Sequence, residues 1–224
     1  VHRDAPSVRA AMRKLMDTTK DQAVAADAAA LDDEAMKAPP PDAAQTALQY
    51  DKARTDATKA ALAKRAPQGY RLACYLDCGP DSVDGAKDGP LLRLIGGGTY
   101  FWAGAEQVAD VRFGSVFYDG GRVIFEASGL NPKKSYQLGF SWWDFDHATR
   151  AQSVILATGK GESETQVLDK TKLPSGSSKQ PPDEKVLPVP PELYRDGSLR
   201  MTFRNEAEPN VVVSELWLWE SSAE

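Results

Sequence analysis

Apolar and polar positions recur with two different periods along this chain, and the change from one to the other divides it. Over residues 5–37, Val8, Met12, Leu15, Thr19, Ala23, Ala26 and Ala30 return at steps of three and four, with no glycine among them. That spacing predicts an amphipathic helix. Pro39-Pro40-Pro41 ends it, because proline lacks the amide donor and its ring clashes with the preceding turn. Asp42 can cap a second helix carried to about Lys64 on Ala44, Leu48, Ala53, Ala57 and Ala61. Two helices joined by a proline turn form an αα-hairpin. A stripe made mostly of alanine buries little area per turn, so the hairpin needs a partner: the domain that follows, another copy, or a neighbouring domain. A solvated spacer is the competing reading.

Ala66-Pro67-Gln68-Gly69 marks the boundary. The expected organisation is a helical hairpin over residues 1–66 and a β domain over residues 70–224. Past Gly69 the period becomes two. Tyr70–Asp77, Leu91–Ile95, Ala151–Thr158, Glu164–Leu168 and Leu199–Phe203 read as short strands. Gln107–Tyr118 and Gly121–Ala127 read as a hairpin turning through Asp119-Gly120. Around Ser128-Gly129-Leu130-Asn131-Pro132, turn chemistry separates Val123-Ile124-Phe125 from an alternating strand in which Tyr136, Leu138 and Phe140 share one face. Residues 170–197 form a long connection with a short extended stretch at Leu187–Leu193. Asn210–Glu220 closes the domain as one strand, with Val211, Val213, Glu215, Trp217 and Trp219 on one face and Val212, Ser214, Leu216 and Leu218 on the other. Many short strands with turn signals between them predict a mainly β fold, an antiparallel β-sandwich of jelly-roll type, preceded by the helical hairpin.

Composition narrows the partners. The formal charge is −5 and the pI about 5.2. No run of Lys or Arg is present to grip phosphates, which argues against nucleic acid. No apolar run approaches the roughly 20 residues that span a bilayer. A start at Val1 reads as a mature or excised piece of a longer product. The two cysteines, Cys74 and Cys78, would lie about 13 Å apart along a regular strand, beyond the ~7 Å of a disulfide. They read as two small buried side chains, unless Gly79-Pro80 bends the chain back.

Three stretches resemble a family. Tyr75-Leu76-Asp77-Cys78-Gly79 resembles the opening strand of malectin-like domains. Gly129-Leu130-Asn131-Pro132 through Tyr136-Gln137-Leu138-Gly139-Phe140 resembles the strand that follows their Gly-Leu-x-Pro turn. Asn210–Leu218 resembles the last strand of the wider galactose-binding-like β-sandwiches. The resemblance implies a carbohydrate-binding accessory domain, secreted or periplasmic, beside the catalytic domain of a bacterial polysaccharide-processing enzyme. It extends over residues 70–220 and implies nothing for residues 1–66.

Sugars offer CH faces to flat aromatics and hydroxyls to carboxylates and amides. Trp142-Trp143-Asp144-Phe145-Asp146-His147 and Arg150 supply both kinds of group. By alternation Trp142 continues the core face of Phe140. Trp143 then points to the other face and is the platform candidate, with Asp144, Asp146 and Arg150 beside it. Asp144 and Asp146 could also bind Ca²⁺ as a structural ion, or stabilise their own turn. Tyr100-Phe101-Trp102, set among Gly96, Gly97, Gly98 and Gly104, is a second candidate: a ligand platform through Tyr100 and Trp102, or a plug for the sandwich end. Trp217 and Trp219 are either an exposed pair or, the preferred reading, a surface covered by the helices. Three functions follow: a non-catalytic carbohydrate-binding module, an interaction module that packs on neighbouring domains, and a glycoside hydrolase or lyase using Asp144 and Asp146 as acid and base.

Overall fold

The computed structural model describes residues 55–77, 83–85, 89–101, 115–144, 147–175 and 183–222. Thr55–Glu224 form one compact unit. Residues 55–64 are helical (α1). The strands are β1 (Tyr70–Asp77), β2 (Val83–Gly85), β3 (Leu91–Gly96), β4 (Gly98–Phe101), β5 (Ser115–Asp119), β6 (Arg122–Ser128) and β7 (Tyr136–Trp142). They continue as β8 (Ala151–Thr158), β9 (Glu164–Lys172), β10 (Asp183–Val189), β11 (Ser198–Ala207), β12 (Val211–Val213) and β13 (Glu215–Ser221). They form a four-stranded sheet β1-β13-β7-β10, a six-stranded sheet β2-β3-β6-β11-β8-β9 and a three-stranded sheet β12-β5-β4, with every strand pairing antiparallel. The expected mainly β, antiparallel, layered fold is what forms.

The core follows from the period of two. Leu76, Leu138, Phe140, Trp142, Leu216 and Leu218 meet Phe125, Val154, Leu156, Met201 and Phe203 from the six-stranded sheet. Phe140 stands edge-on to both Trp142 and Phe203, with centroids 4.9 Å away in each case, a geometry that sets a positive ring edge on a negative face. The turn before β7 is built as its residues demand. Gly129 takes φ 71°, the left-handed region open to glycine. The Lys133 amide donates to Asn131 Oδ1 at 2.9 Å, and the Asn131 amide donates to the Tyr136 hydroxyl at 2.8 Å. Burial pushes the Tyr136 phenol up to about 12, against the opposing pull of that amide.

Three expectations are corrected. β5 and β6 are not a hairpin: β5 pairs with β4 and β12, whereas β6 pairs with β3 and β11. Asp119 Oδ1 accepts from the Gly121 and Arg122 amides at 2.7 and 2.9 Å, and this turn swings the chain from one sheet into another. The same bonds hold the Asp119 carboxyl below its ordinary pKa. Asn210–Glu220 is not one strand: it breaks at Ser214, so β12 and β13 serve different sheets. Residues 170–197 are not merely a connection, because β9 runs on to Lys172 and β10 is the edge of the four-stranded sheet. Tyr100 and Phe101 belong to β4.

The helical hairpin is not supported: one helix, α1, is described where the second arm was expected to end. Residues 1–54 lie outside the described residues, so α1 is the single helix among those described, apart from a 3₁₀ turn at Pro191–Tyr194. Its buried positions are Thr58 and Leu62, one residue on from the expected stripe; Ala57 and Ala61 face solvent. Leucine wins the inward face over alanine because it removes more apolar area from water. Leu62 packs with Tyr75, Trp217 and Trp219, flanked by Ala66, Tyr70 and Leu72.

Candidate functional site

The residues that end β1, β4 and β7 and begin β5 and β10 gather at one end of the sandwich. Asp77 pairs with Glu215, Glu215 with Ser141, and Asp183 with Trp142. Asp144 bridges to Ser175. The Ser214 amide donates to the Ser141 carbonyl at 2.8 Å, which ties β12, and through it β5 and β4, to the same end.

Just past β7, Asp144 is fully buried and saturated with donors. Its Oδ1 accepts from Arg150 Nη1 at 2.7 Å and from the Ala148 amide at 3.1 Å, and its Oδ2 from the Thr149 amide at 2.8 Å. Arg150, 1% exposed, also donates through Nε to Asn210 Oδ1 at 2.7 Å. Two residues on, the Gln152 side chain caps Val212 from both sides, donating to its carbonyl at 3.0 Å and accepting from its amide at 2.7 Å. This buried polar chain joins β7, β8 and β12. His147 and Thr149 take φ 58° and 66°, a region that β-branched threonine rarely adopts, and the Asp144 carboxylate sits against the Thr149 amide.

That geometry changes the reading of several residues. Trp143 is 3% exposed, so the open platform expected there is corrected to a buried indole. Pro174 and Ser175 run beside Asp144, whose amide donates to the Pro174 carbonyl at 3.0 Å. Trp142 is core, as alternation predicts, and its Nε1 donates to Asp183 Oδ2 at 3.4 Å. Asp144 and Arg150 bind each other; the self-stabilising turn is the arrangement present. A calcium ion does not fit at Asp144, whose oxygens already face a guanidinium and two amides. Among the described residues no group of three or more His, Cys, Asp or Glu side chains gathers to hold a metal. Asp146 and Trp102 lie outside the described residues, as does Cys78; Tyr100 is placed in β4 opposite Val116. Cys74 is buried in the core. No helix among the described residues is long and apolar enough to cross a membrane.

No family model matches the sequence. No curated protein sequence matches it either. Among solved structures, the chain is similar to the CBM22-1 xylan-binding domain of Paenibacillus barcinonensis Xyn10C, at 14% identity and TM-score 0.43, over 71% of this chain and 100% of that one. It is similar to TmCBM61, solved with β-1,4-galactotriose, at 15% identity and TM-score 0.29, over 65% and 86% of the two chains. It is also similar to CBM28, a non-crystalline cellulose specific carbohydrate-binding module, at 11% identity and TM-score 0.29, over 67% and 85%.

A second group of residues, read from the sequence as either an exposed pair or a surface covered by the helices, lies on the outer face of the four-stranded sheet. Register sets Asp77, Glu215, Ser141 and Glu184 in one row across it, and Tyr75, Trp217, Gly139 and Val186 in the next. Glu215, itself buried, accepts from the Tyr75 hydroxyl at 2.7 Å and the Ser141 hydroxyl at 2.8 Å. The Trp217 ring lies on Gly139, where an added Cβ would come within 2.0 Å of the indole. Trp219 stands at 70° to Trp217, with centroids 5.8 Å away. Arg65, just past α1, forms a two-bond ion pair with Glu184 at 2.9 and 3.1 Å.

Proposed function

We propose that this chain is a non-catalytic carbohydrate-binding module, an accessory part of a larger secreted polysaccharide-processing enzyme, with a galactose-binding-like jelly-roll domain over residues 70–224. The observation that supports this most directly is the convergence at one end of the sandwich. The connections 102–114 and 145–146, which carry Trp102 and Asp146, both leave from anchors gathered there. A rigid sheet that presents loops at one rim is the usual support for a recognition site. Trp102 supplies the aromatic face in this reading, Tyr100 lies beside it in sequence, and Asp146 accepts hydroxyls.

The same geometry weighs against Asp144 and Asp146 as an acid–base pair. A glycosidase carboxylate must face the scissile bond, and Asp144 is fully buried with three donors already upon it. A second reading, an interaction module that packs on neighbouring domains, draws on a specific observation: α1 packs on Trp217 and Trp219, so this sheet face accepts a helix. A glycan array with the intact chain and with Trp102→Ala separates the two. Binding that is lost in Trp102→Ala supports the carbohydrate module, and no binding to any glycan by the intact chain refutes it. A reducing-sugar assay on common polysaccharides is expected to show no turnover.

A further inference from the structure

We infer that α1 is a displaceable cover over a second sugar-binding face, formed by Trp217, Trp219 and Tyr75 with the Glu215 carboxylate alongside. The ligand class rests on the reading proposed above; the position does not, since this face lies on the four-stranded sheet and not among the loops. The indole Nε1–H groups of Trp217 and Trp219, 1% and 5% exposed, have no hydrogen-bond partner among the described residues. Buried donors in a permanent interface are almost always matched by acceptors. Here the covering helix inserts Leu62, which offers none. The cover is also thin. Of residues 55–64 only Thr58 and Leu62 are buried, and the hold at the end of the helix is the solvent-exposed Arg65–Glu184 pair, of a kind that contributes little.

The chemistry beneath suits a glycan. Trp217 is held flat on Gly139, a geometry that presents ring face. Two indole N–H groups would donate to hydroxyl or ring oxygens. Glu215, oriented by the Tyr75 and Ser141 hydroxyls, sets a carboxylate beside the ring pair. Aromatic face, N–H donors and a carboxylate acceptor together recognise the alternating CH and OH surfaces of a pyranose. A helix that must leave first lowers the apparent affinity by the fraction of open molecules, so the helix also regulates the site.

Release of the cover tests this. The full chain carrying Leu62→Ala and Arg65→Ala is titrated by calorimetry with cellohexaose, xylohexaose and β-1,4-galactotriose. Affinity for at least one is expected to rise by about tenfold or more over the parent chain, as for a site open a tenth of the time or less. The gain is expected to vanish with Trp219→Ala and to survive Trp102→Ala. A folded release variant with no gain, a gain that survives Trp219→Ala, or self-association in place of sugar uptake overturns the inference. The loop-end reading is judged separately, on Trp102→Ala in the parent chain. Should the release variant lose cooperative unfolding, hydrogen exchange on the unaltered chain decides. Saturating oligosaccharide is expected to speed exchange over residues 55–64, and unchanged exchange there overturns the cover.

Discussion

Replacing Asp144 by alanine should unfold this domain more readily than any surface change, and the size of the effect follows from what the carboxylate holds. The side chain is fully buried, and Arg150, opposite at 2.7 Å, is 1% exposed. Removing the acid takes the Asp144 charge away from a guanidinium in the interior, and breaking a buried pair costs about 3–5 kcal/mol. Two amides, of Ala148 and Thr149, lose their acceptor as well, and Thr149 sits at φ 66° without the bond that anchors it. For a unit of about 170 residues (Thr55–Glu224), each kcal/mol lowers Tm by about 2–4 °C, so the expected fall is about 6–20 °C. Removing both charges is a different perturbation. Asp144→Ala combined with Arg150→Met leaves no buried ion, and the double variant should be no less stable than Asp144→Ala alone. Urea unfolding of the parent, Asp144→Ala, Arg150→Met and the double variant, followed by intrinsic fluorescence, gives the four free energies of the cycle. A single variant within about 1 kcal/mol of the parent, or a double variant whose losses simply add, refutes the claim that the pair is a structural tie. A single variant of unchanged stability that binds no glycan would return Asp144 to the ligand site.

Gly139→Ala would set a methyl within 2.0 Å of the Trp217 indole, so the ring must leave its seat. Overpacking of this kind costs about 1–3 kcal/mol or more, and a lower urea midpoint with altered near-ultraviolet dichroism is expected. Tyr136 carries an alkaline signature. Its folded pKa, about 12, stands above the ordinary value near 10, so above pH 10 the unfolded chain gives up the proton first. Its contribution is fully present below about pH 10 and is lost as pH rises through about 12. Burial of Tyr194 acts in the same direction. The urea midpoint should therefore fall over that window, and Tyr136→Phe should flatten the slope; an unchanged slope counts against it.

Most of the β layering was legible because burial on one side imposes a period of two, and Val123, Phe125 and Ala127 in β6 obey it without exception, whereas β7 is covered on both faces. The errors lie where a second layer intervenes. Alternation assigns Trp143 to the face opposite Trp142, but a face is not an exposure: Trp143 is buried on that face as well. Asp119-Gly120 has the composition of a hairpin turn, yet the Asp119 carboxylate bonds two following amides and redirects the chain into another sheet. Nothing in NVVVSELWLWE marks Ser214 as a break; the division arises because β5 and β7 compete for successive parts of one strand. The covering of Trp217 and Trp219 by helix was foreseen, whereas the helix face was not, since counting alanines overlooked the single leucine at Leu62. The Asp144–Arg150–Asn210 tie was half visible: the acid and the arginine stood out as polar groups, but Asn210 is 60 residues from Arg150 and no local pattern links them.

Because β13 sits between β1 and β7, those two strands touch each other only through a segment made much later by the ribosome. The Tyr75–Glu215 bond closes a separation of 140 residues. During synthesis one edge of β7 therefore stays open until Glu215–Ser221 emerges to be threaded between its neighbours. This sheet cannot mature vectorially, and the nascent chain is a natural client for chaperones that hold apolar strands apart.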